Sequence, residues 1–174
     1  MPQLRLYRTN AARQKAYRLR HGLNKRIKKA KPYFLSSSIE WGTPVEIFNP
    51  LDAQYHFTLD VCASAANAKV PRYFSAAQDG LAQDWGQEVC WMNPPYGPQL
   101  AAWMRKAYES AQGGATVVCF LPARTCTRWW HTYAMRGEYT FLKGRTRFEG
   151  AASGAPFPSV IVVFRPPAGP AARG

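Results

Sequence analysis

Residues 89–98 read VCWMNPPYGP. A short apolar run stops at Asn93 and gives way to two prolines and a tyrosine. Glu88–Met92 reads as a buried strand that ends at Asn93. Pro94 and Pro95 remove two backbone donors and fix two φ angles. The chain therefore leaves the strand as a stiff loop, with a polar amide at one end and an aromatic ring at the other. A helix is predicted next, over Pro98 to Gln112. Ala101, Met104, Ala107, Tyr108 and Ala111 recur at helical spacing there, and Gly113-Gly114 ends it.

The same strand-then-helix alternation extends to both sides. Upstream, FTLDVCA (57–63) predicts a buried strand with Asp60 toward its end. Before it, WGTPVEIF (41–48) opens a helix. Thr43 to Glu46 forms a capping-box pattern with Pro44 at the first helical position, and Val45, Phe48 and Leu51 are expected on the buried face. Downstream, TVVCFLP (116–122) predicts a third buried strand, Thr127 to Arg136 a helix, and EYTFLKG (138–144) and SVIVVFR (159–165) two more strands. This alternation indicates an α/β domain with a largely parallel sheet, the last two strands pairing in part antiparallel as a C-terminal hairpin. EGAASGAPFP (149–158) reads as a loop and residues 167–174 as a disordered tail.

The 174 residues suffice for one domain with a real core, and 47% are apolar. No apolar run approaches the ~18 residues of a membrane span. The charged N-terminus lacks a signal-peptide core, so a cytoplasmic protein is expected. Cys62, Cys90, Cys119 and Cys126 form no C-x-x-C pair, which predicts free thiols rather than a zinc site or disulfide framework. Trp129-Trp130-His131 reads as core packing plus a surface imidazole.

Charge is uneven. Of 23 Lys and Arg, eleven lie in residues 1–31, and no acid precedes Glu40. From residue 40 onward twelve basic residues face ten acidic ones. The chain thus reads as a basic arm with a Ser36–Ser38 linker (1–38) attached to a nearly neutral domain (39–166). The arm is too poor in apolar residues for a core element, and clustered charge of this kind suits contact with nucleic-acid phosphates. Arg18, Arg20, Lys25, Arg26, Lys28 and Lys29 are its candidate contacts. A second cluster, Lys143, Arg145 and Arg147, is either a solvated turn or a further phosphate grip.

Ligands of open α/β sheets sit outside the carboxyl ends of the strands. That rule brings Asp60, Asn93–Tyr96 and Leu121–Arg124 to one edge, although Asp60 alone is equally a strand terminator. The Asn93 side-chain carbonyl and the Pro94 backbone carbonyl are two acceptors held close by a rigid backbone, and Tyr96 offers a flat ring beside them. A planar amino group on a flat ring fits this set. Two accepted hydrogen bonds pull its nitrogen toward tetrahedral geometry and localise the lone pair, which then attacks an electrophilic methyl. The product cation is acidic enough to lose its proton afterwards, so no prior general base is required.

Asn93-Pro94-Pro95-Tyr96, with WGTP (41–44), DGLAQDW (79–85), LPART (121–125) and APFPSVIVVF (155–164), resembles the phage-type, Dam-like DNA adenine methyltransferases over about Trp41 to Phe164. The resemblance implies a Rossmann-like class I fold, S-adenosylmethionine as methyl donor, and double-stranded DNA as partner. It also implies a flipped adenine held by the catalytic loop Asn93, Pro94, Pro95 and Tyr96, with Tyr96 stacking on the base. Trp41, Thr43, Pro44 and Asp60 resemble cofactor-binding positions, and Asp79 or Asp84 the acidic contact to the adenosine. Arg124 falls at the cleft edge, where it meets DNA or substrate. No metal is implied, and a phage or prophage origin within a bacterial host is. Two features depart from the wider class. The Gly-rich loop after the first strand is replaced by LDVCASAANAKV (59–70), and no sizeable target-recognition insert is present. Methylation of RNA adenine or of a protein glutamine amide shares the same planar amino group. A non-catalytic nucleic-acid-binding protein is the alternative of a different class.

Overall fold

The computed structural model describes residues 42–168 together with Thr9. Expectations for the basic arm, for Trp41 and for residues 169–174 lie outside the described residues. Within them the elements are α1 (Val45–Tyr55), β1 (Leu59–Asp60), β2 (Val89–Met92), α2 (Leu100–Gln112), β3 (Thr116–Pro122), α3 (Arg128–Thr132), a 3₁₀ turn (Ala134–Arg136), β4 (Glu138–Phe141) and β5 (Ser159–Phe164).

The strands form one mixed sheet in the order β1-β2-β3-β5-β4. β1, β2 and β3 pair parallel, and β5 is antiparallel to both of its neighbours. Four strands therefore run the same way and β5 runs against them. The two last strands pair as the sequence predicts, with β5 inserted between β3 and β4. β5 is buried throughout and β3 at all but its first residue, which explains why their sequences are apolar without alternation.

Side chains nonetheless alternate between the two faces. Cys90, Met92, Val117, Cys119 and Leu121 pack with Leu100, Trp103, Met104 and Ala107 of α2. Trp91, Val118, Phe120 and Ile161 pack with Phe48 of α1 and with Phe57, Phe148 and Phe157. Helix and loop layers thus cover opposite faces, and the core is two clusters separated by the sheet.

Local expectations fail in four places. The first strand keeps only two ladder residues, although Thr58 N–H donates to Val89 O and Val61 N–H to Trp91 O on either side. Residues 72–74 return along its other edge, bridging Asp60 and Tyr73 in parallel. The helix predicted from Pro98 begins at Leu100. The one predicted over 127–136 breaks at Tyr133, whose ring packs on Tyr108 while Trp130 stacks on Phe141. Finally, α1 starts without a side-chain cap, its N-cap position is Pro44, and Val45 is exposed. The capping box does not form: the helix starts one residue later than predicted, which puts Thr43 outside the N-cap position, and its hydroxyl meets Asn93 instead, as described below.

Candidate active site

Because β1, β2, β3 and β4 share a direction, their carboxyl ends share an edge. Asp60 ends β1, and Asn93, Arg124 and Lys143 follow the ends of β2, β3 and β4. The Asn93 loop is fastened at both ends. Asn93 Nδ2 donates to Thr43 Oγ1 at 3.0 Å, and Tyr96 Oη donates to the Phe120 carbonyl at 3.0 Å. Between them Gly97 N–H closes on Pro95 O. No hydrogen bond among the described residues ends on the Pro94 carbonyl.

Tyr96 departs from expectation. Its ring is 7% exposed and meets Phe148 and Phe157 edge-on at 6.0 and 5.6 Å. Burial holds its phenol well above the usual range, hence neutral. In this structure the ring is a core anchor of the loop and not an open stacking face.

A pocket of about 220 Å³ opens beside Asn93. Its walls are the loop after β1 (Cys62, Ala63, Ser64, Asn67), the segment Phe74–Gly80, and Pro95, Gln99 and Trp103 at the start of α2. The missing Gly-rich loop is replaced by polar stapling. Asp60 Oδ1 accepts from Cys62 N–H at 3.3 Å and Oδ2 from Lys69 N–H at 3.2 Å, so one carboxylate gathers both ends of the loop. Within the loop Asn67 Oδ1 accepts from the backbone and hydroxyl of Ser64.

Asp60 is 3% exposed and lies under the loop, next to Thr43, Lys69 and Asn93, rather than on the wall of the pocket beside Asn93. Burial pushes its carboxyl up from 3.8 to about 6, against the pull of the two amides and Lys69. The raised value means that the folded chain holds a proton the unfolded chain has released between those pH values. The stability tied to Asp60 is therefore fully present below pH 3.8 and is lost as pH rises through about 6. Asp60→Asn carries no charge and removes this dependence. The stability difference between wild type and variant should drift by about 2 kcal/mol between pH 4 and pH 7, to the disadvantage of wild type. Denaturant unfolding across that range measures it, and a flat difference contradicts the buried-carboxylate picture.

Asp79 and Asp84, sequence alternatives for one role, are separated by the fold. Asp79 lines the pocket, with φ at 51° and Oδ1 accepting from Leu81 N–H. Asp84 accepts from Gly86 N–H at a different surface depression. Gly80 explains the turn: a Cβ there would stand 2.1 Å from the Val61 carbonyl, so only glycine lets it press on the end of β1. Trp85 Nε1 holds it by donating to Gly80 O. Thr43 reaches Asn93 and does not line that pocket, and the Pro44 carbonyl accepts from the first amides of α1. Pocket residues Ser64, Asn67, Gln99 and Trp103 are missing from the sequence-based set. Trp103 had a signal, since it continues the helical spacing from Leu100 to Met104 and Ala107. Its Nε1 is buried with no hydrogen-bond partner among the described residues.

Arg124 lies past β3 in a turn in which its carbonyl accepts from Thr127, and its Nε is buried with no partner among the described residues. Lys143, Arg145 and Arg147 are exposed, while Thr146 and Phe148 between and after them are buried. Thr146 Oγ1 donates to Ser159 Oγ and Phe148 packs on Tyr96, so this basic stretch is tied directly to the Asn93 loop. His131 is exposed beside buried Trp129 and Trp130, as expected.

Comparison with known proteins adds two findings. A family model described as DNA N-6-adenine-methyltransferase (Dam) matches residues 36–172. A DNA N-6-adenine-methyltransferase of Haemophilus phage HP1 (strain HP1c1) is 30% identical over 139 residues, covering 74% of this chain and 79% of that relative.

Proposed function

The chain belongs to the DNA N-6-adenine-methyltransferase family, and on that premise we propose that it transfers a methyl group from S-adenosylmethionine to the exocyclic amino group of an adenine flipped from duplex DNA. The observation that carries this reading is the Asn93 loop. It stands at a strand's carboxyl end beside the pocket, with the amide nitrogen held by Thr43 so that Oδ1 is the acceptor end. In this reading the sheet order, with β5 alone reversed, belongs to a Rossmann-like class I domain over residues 39–166, and residues 1–38 are a DNA-contacting arm and linker.

The pocket's chemistry fits the donor. Phe74 and Trp103 offer aromatic faces, Asp79 and Ser64 offer acceptors, and the buried Trp103 N–H is a donor in need of an acceptor. These suit a flat purine and ribose hydroxyls, and Asp79 rather than Asp84 takes the acidic role. Bound there, S-adenosylmethionine supplies an electrophilic methyl on a sulfonium centre. Asn93 Oδ1 and the Pro94 carbonyl accept the two hydrogens of the target amine and localise its lone pair. Pro95 keeps both acceptors in place, Tyr96 anchors the loop, and Asp60 staples the cofactor loop from beneath. Extrusion of the base costs a few kcal/mol. Phosphate contacts from the arm and from Arg124, Lys143, Arg145 and Arg147 offset it.

The direct test is incubation with S-adenosylmethionine labelled in the methyl group and duplex DNA, RNA or protein extract. Label in N6-methyladenine of DNA is expected. Label in RNA adenine or glutamine amide, or none at all, refutes the proposal. Replacing Lys143, Arg145 and Arg147 together by alanine should leave the fold intact. The slope of log affinity for DNA against log salt should become shallower by about 2–3, at ~0.9 per lost phosphate contact. An unchanged slope returns the cluster to a solvated turn.

A further inference from the structure

We propose that Thr43 is a positioning residue for methyl transfer, acting through Asn93 rather than on the cofactor. The inference rests on the reading of Asn93 as acceptor of the target amine. Thr43 begins a local capping pattern, yet its hydroxyl is not used by α1. It is 2% exposed and takes Asn93 Nδ2 from fifty residues away, at 3.0 Å. The backbone on both sides of it is held. Pro44 follows it with φ at −60°, and Gly42 before it bridges Glu149, whose N–H donates to Gly42 O at 3.0 Å. Glu149 is itself paired with Lys69 at 2.7 Å. A side chain at position 42 would crowd this join, since its Cβ would stand 2.8 Å from Glu149 Oε2. The hydroxyl is thus delivered to one spot by a strapped segment.

The chemistry needs an acceptor at that spot. The two ends of an asparagine amide are nearly equal in shape and opposite in hydrogen bonding. Two N–H groups of a target amine are met only when Oδ1 faces them. In that orientation Nδ2 faces Thr43 and requires an acceptor, which the hydroxyl provides. A methyl group in its place leaves the productive orientation without that support and favours a turned amide, which presents a donor to a donor.

Thr43→Val keeps the shape and removes the acceptor. Its kcat should fall about 10-fold or more, with cofactor affinity by calorimetry close to wild type and the melting temperature lowered by only a few degrees. Thr43→Ser restores the hydroxyl and should restore most of the rate. Thr43→Ala, which needs no extra room, should match the valine variant if that one folds poorly. In the Asn93→Ala background the valine substitution should cost little more, because the amide it orients is gone. Wild-type kcat in both hydroxyl-free variants overturns the inference. Full additivity with Asn93→Ala, or a loss of cofactor affinity that serine repairs, also overturns it and returns Thr43 to a structural or cofactor role. If wild type itself transfers no methyl to DNA adenine, the parent reading fails. If wild type is active and Thr43→Val is too, only this inference fails.

Discussion

Asn93→Ala is expected to lower kcat by about 100- to 1000-fold, the range seen when a preorganised hydrogen-bonding group at a reacting centre is removed. The amine is a poor nucleophile because its lone pair is shared with the purine ring. Only acceptors aimed at both of its hydrogens return that pair to nitrogen, and Asn93 supplies one of the two. The effect should appear in kcat more than in the Michaelis constants, since the contact strengthens as positive charge develops on nitrogen. Calorimetry should show cofactor binding near wild type, because Asn93 is one wall among many in the pocket. Melting should change little, because β2 and the Tyr96 anchor remain. Rapid-quench measurement with labelled donor separates chemistry from product release. Turnover near wild type would defeat the acceptor mechanism, and with it the role given to Pro94.

Elements whose signal is local were legible in the sequence. Val89–Met92 and residues 117–122 and 160–164 are unbroken apolar runs, and each lies in a strand. The placement of β5 between β3 and β4 was not legible, because strand order depends on pairings between residues far apart in sequence. The same division holds at the site. The carboxyl-end rule put Asp60, Asn93 and Arg124 on one edge of the sheet from topology alone. It did not reveal that Thr43 would abandon a local cap for Asn93, a tertiary partner that completes a buried bond. Asp79 and Asp84 look alike in sequence, each an acid before a turn. What separates them is the approach of Gly80 to the Val61 carbonyl, visible only once β1 and the turn are packed. Tyr96 sits in a proline-rich stretch that reads as a stiff loop offering a flat ring. Phe148 and Phe157, which enclose it, come from the basic stretch after β4 and from the Gly/Ala/Pro-rich loop that follows, neither of which carries a core signal of its own.

That enclosure reverses the expected behaviour of Tyr96 variants. An open stacking platform would lose base binding on truncation and keep its stability. A core anchor loses stability first. Tyr96→Ala should destabilise the domain by about 3–5 kcal/mol, as for other large aromatic-to-alanine changes in cores. For a domain of this size that is a fall of on the order of 10 °C in melting temperature. Activity should fall with it, because Asn93 and Tyr96 stand three residues apart on one stiff loop and the anchor limits how far the acceptors wander. Tyr96→Phe keeps the ring against Phe148 and Phe157 but deletes the hydroxyl bonded to the Phe120 carbonyl, and should cost about 1 kcal/mol. It should retain most of the turnover. The two roles separate cleanly when melting is measured beside a fluorescent adenine analogue placed at the target position of a duplex. If Tyr96→Ala melts like wild type yet no longer holds the extruded analogue, the ring leaves its packing to stack on the base. If melting and kcat fall together while the surviving folded protein still holds the analogue, the ring works from inside the core. The base is then held by the acceptors and the pocket wall, and Tyr96 serves catalysis by keeping Asn93 and Pro94 from moving.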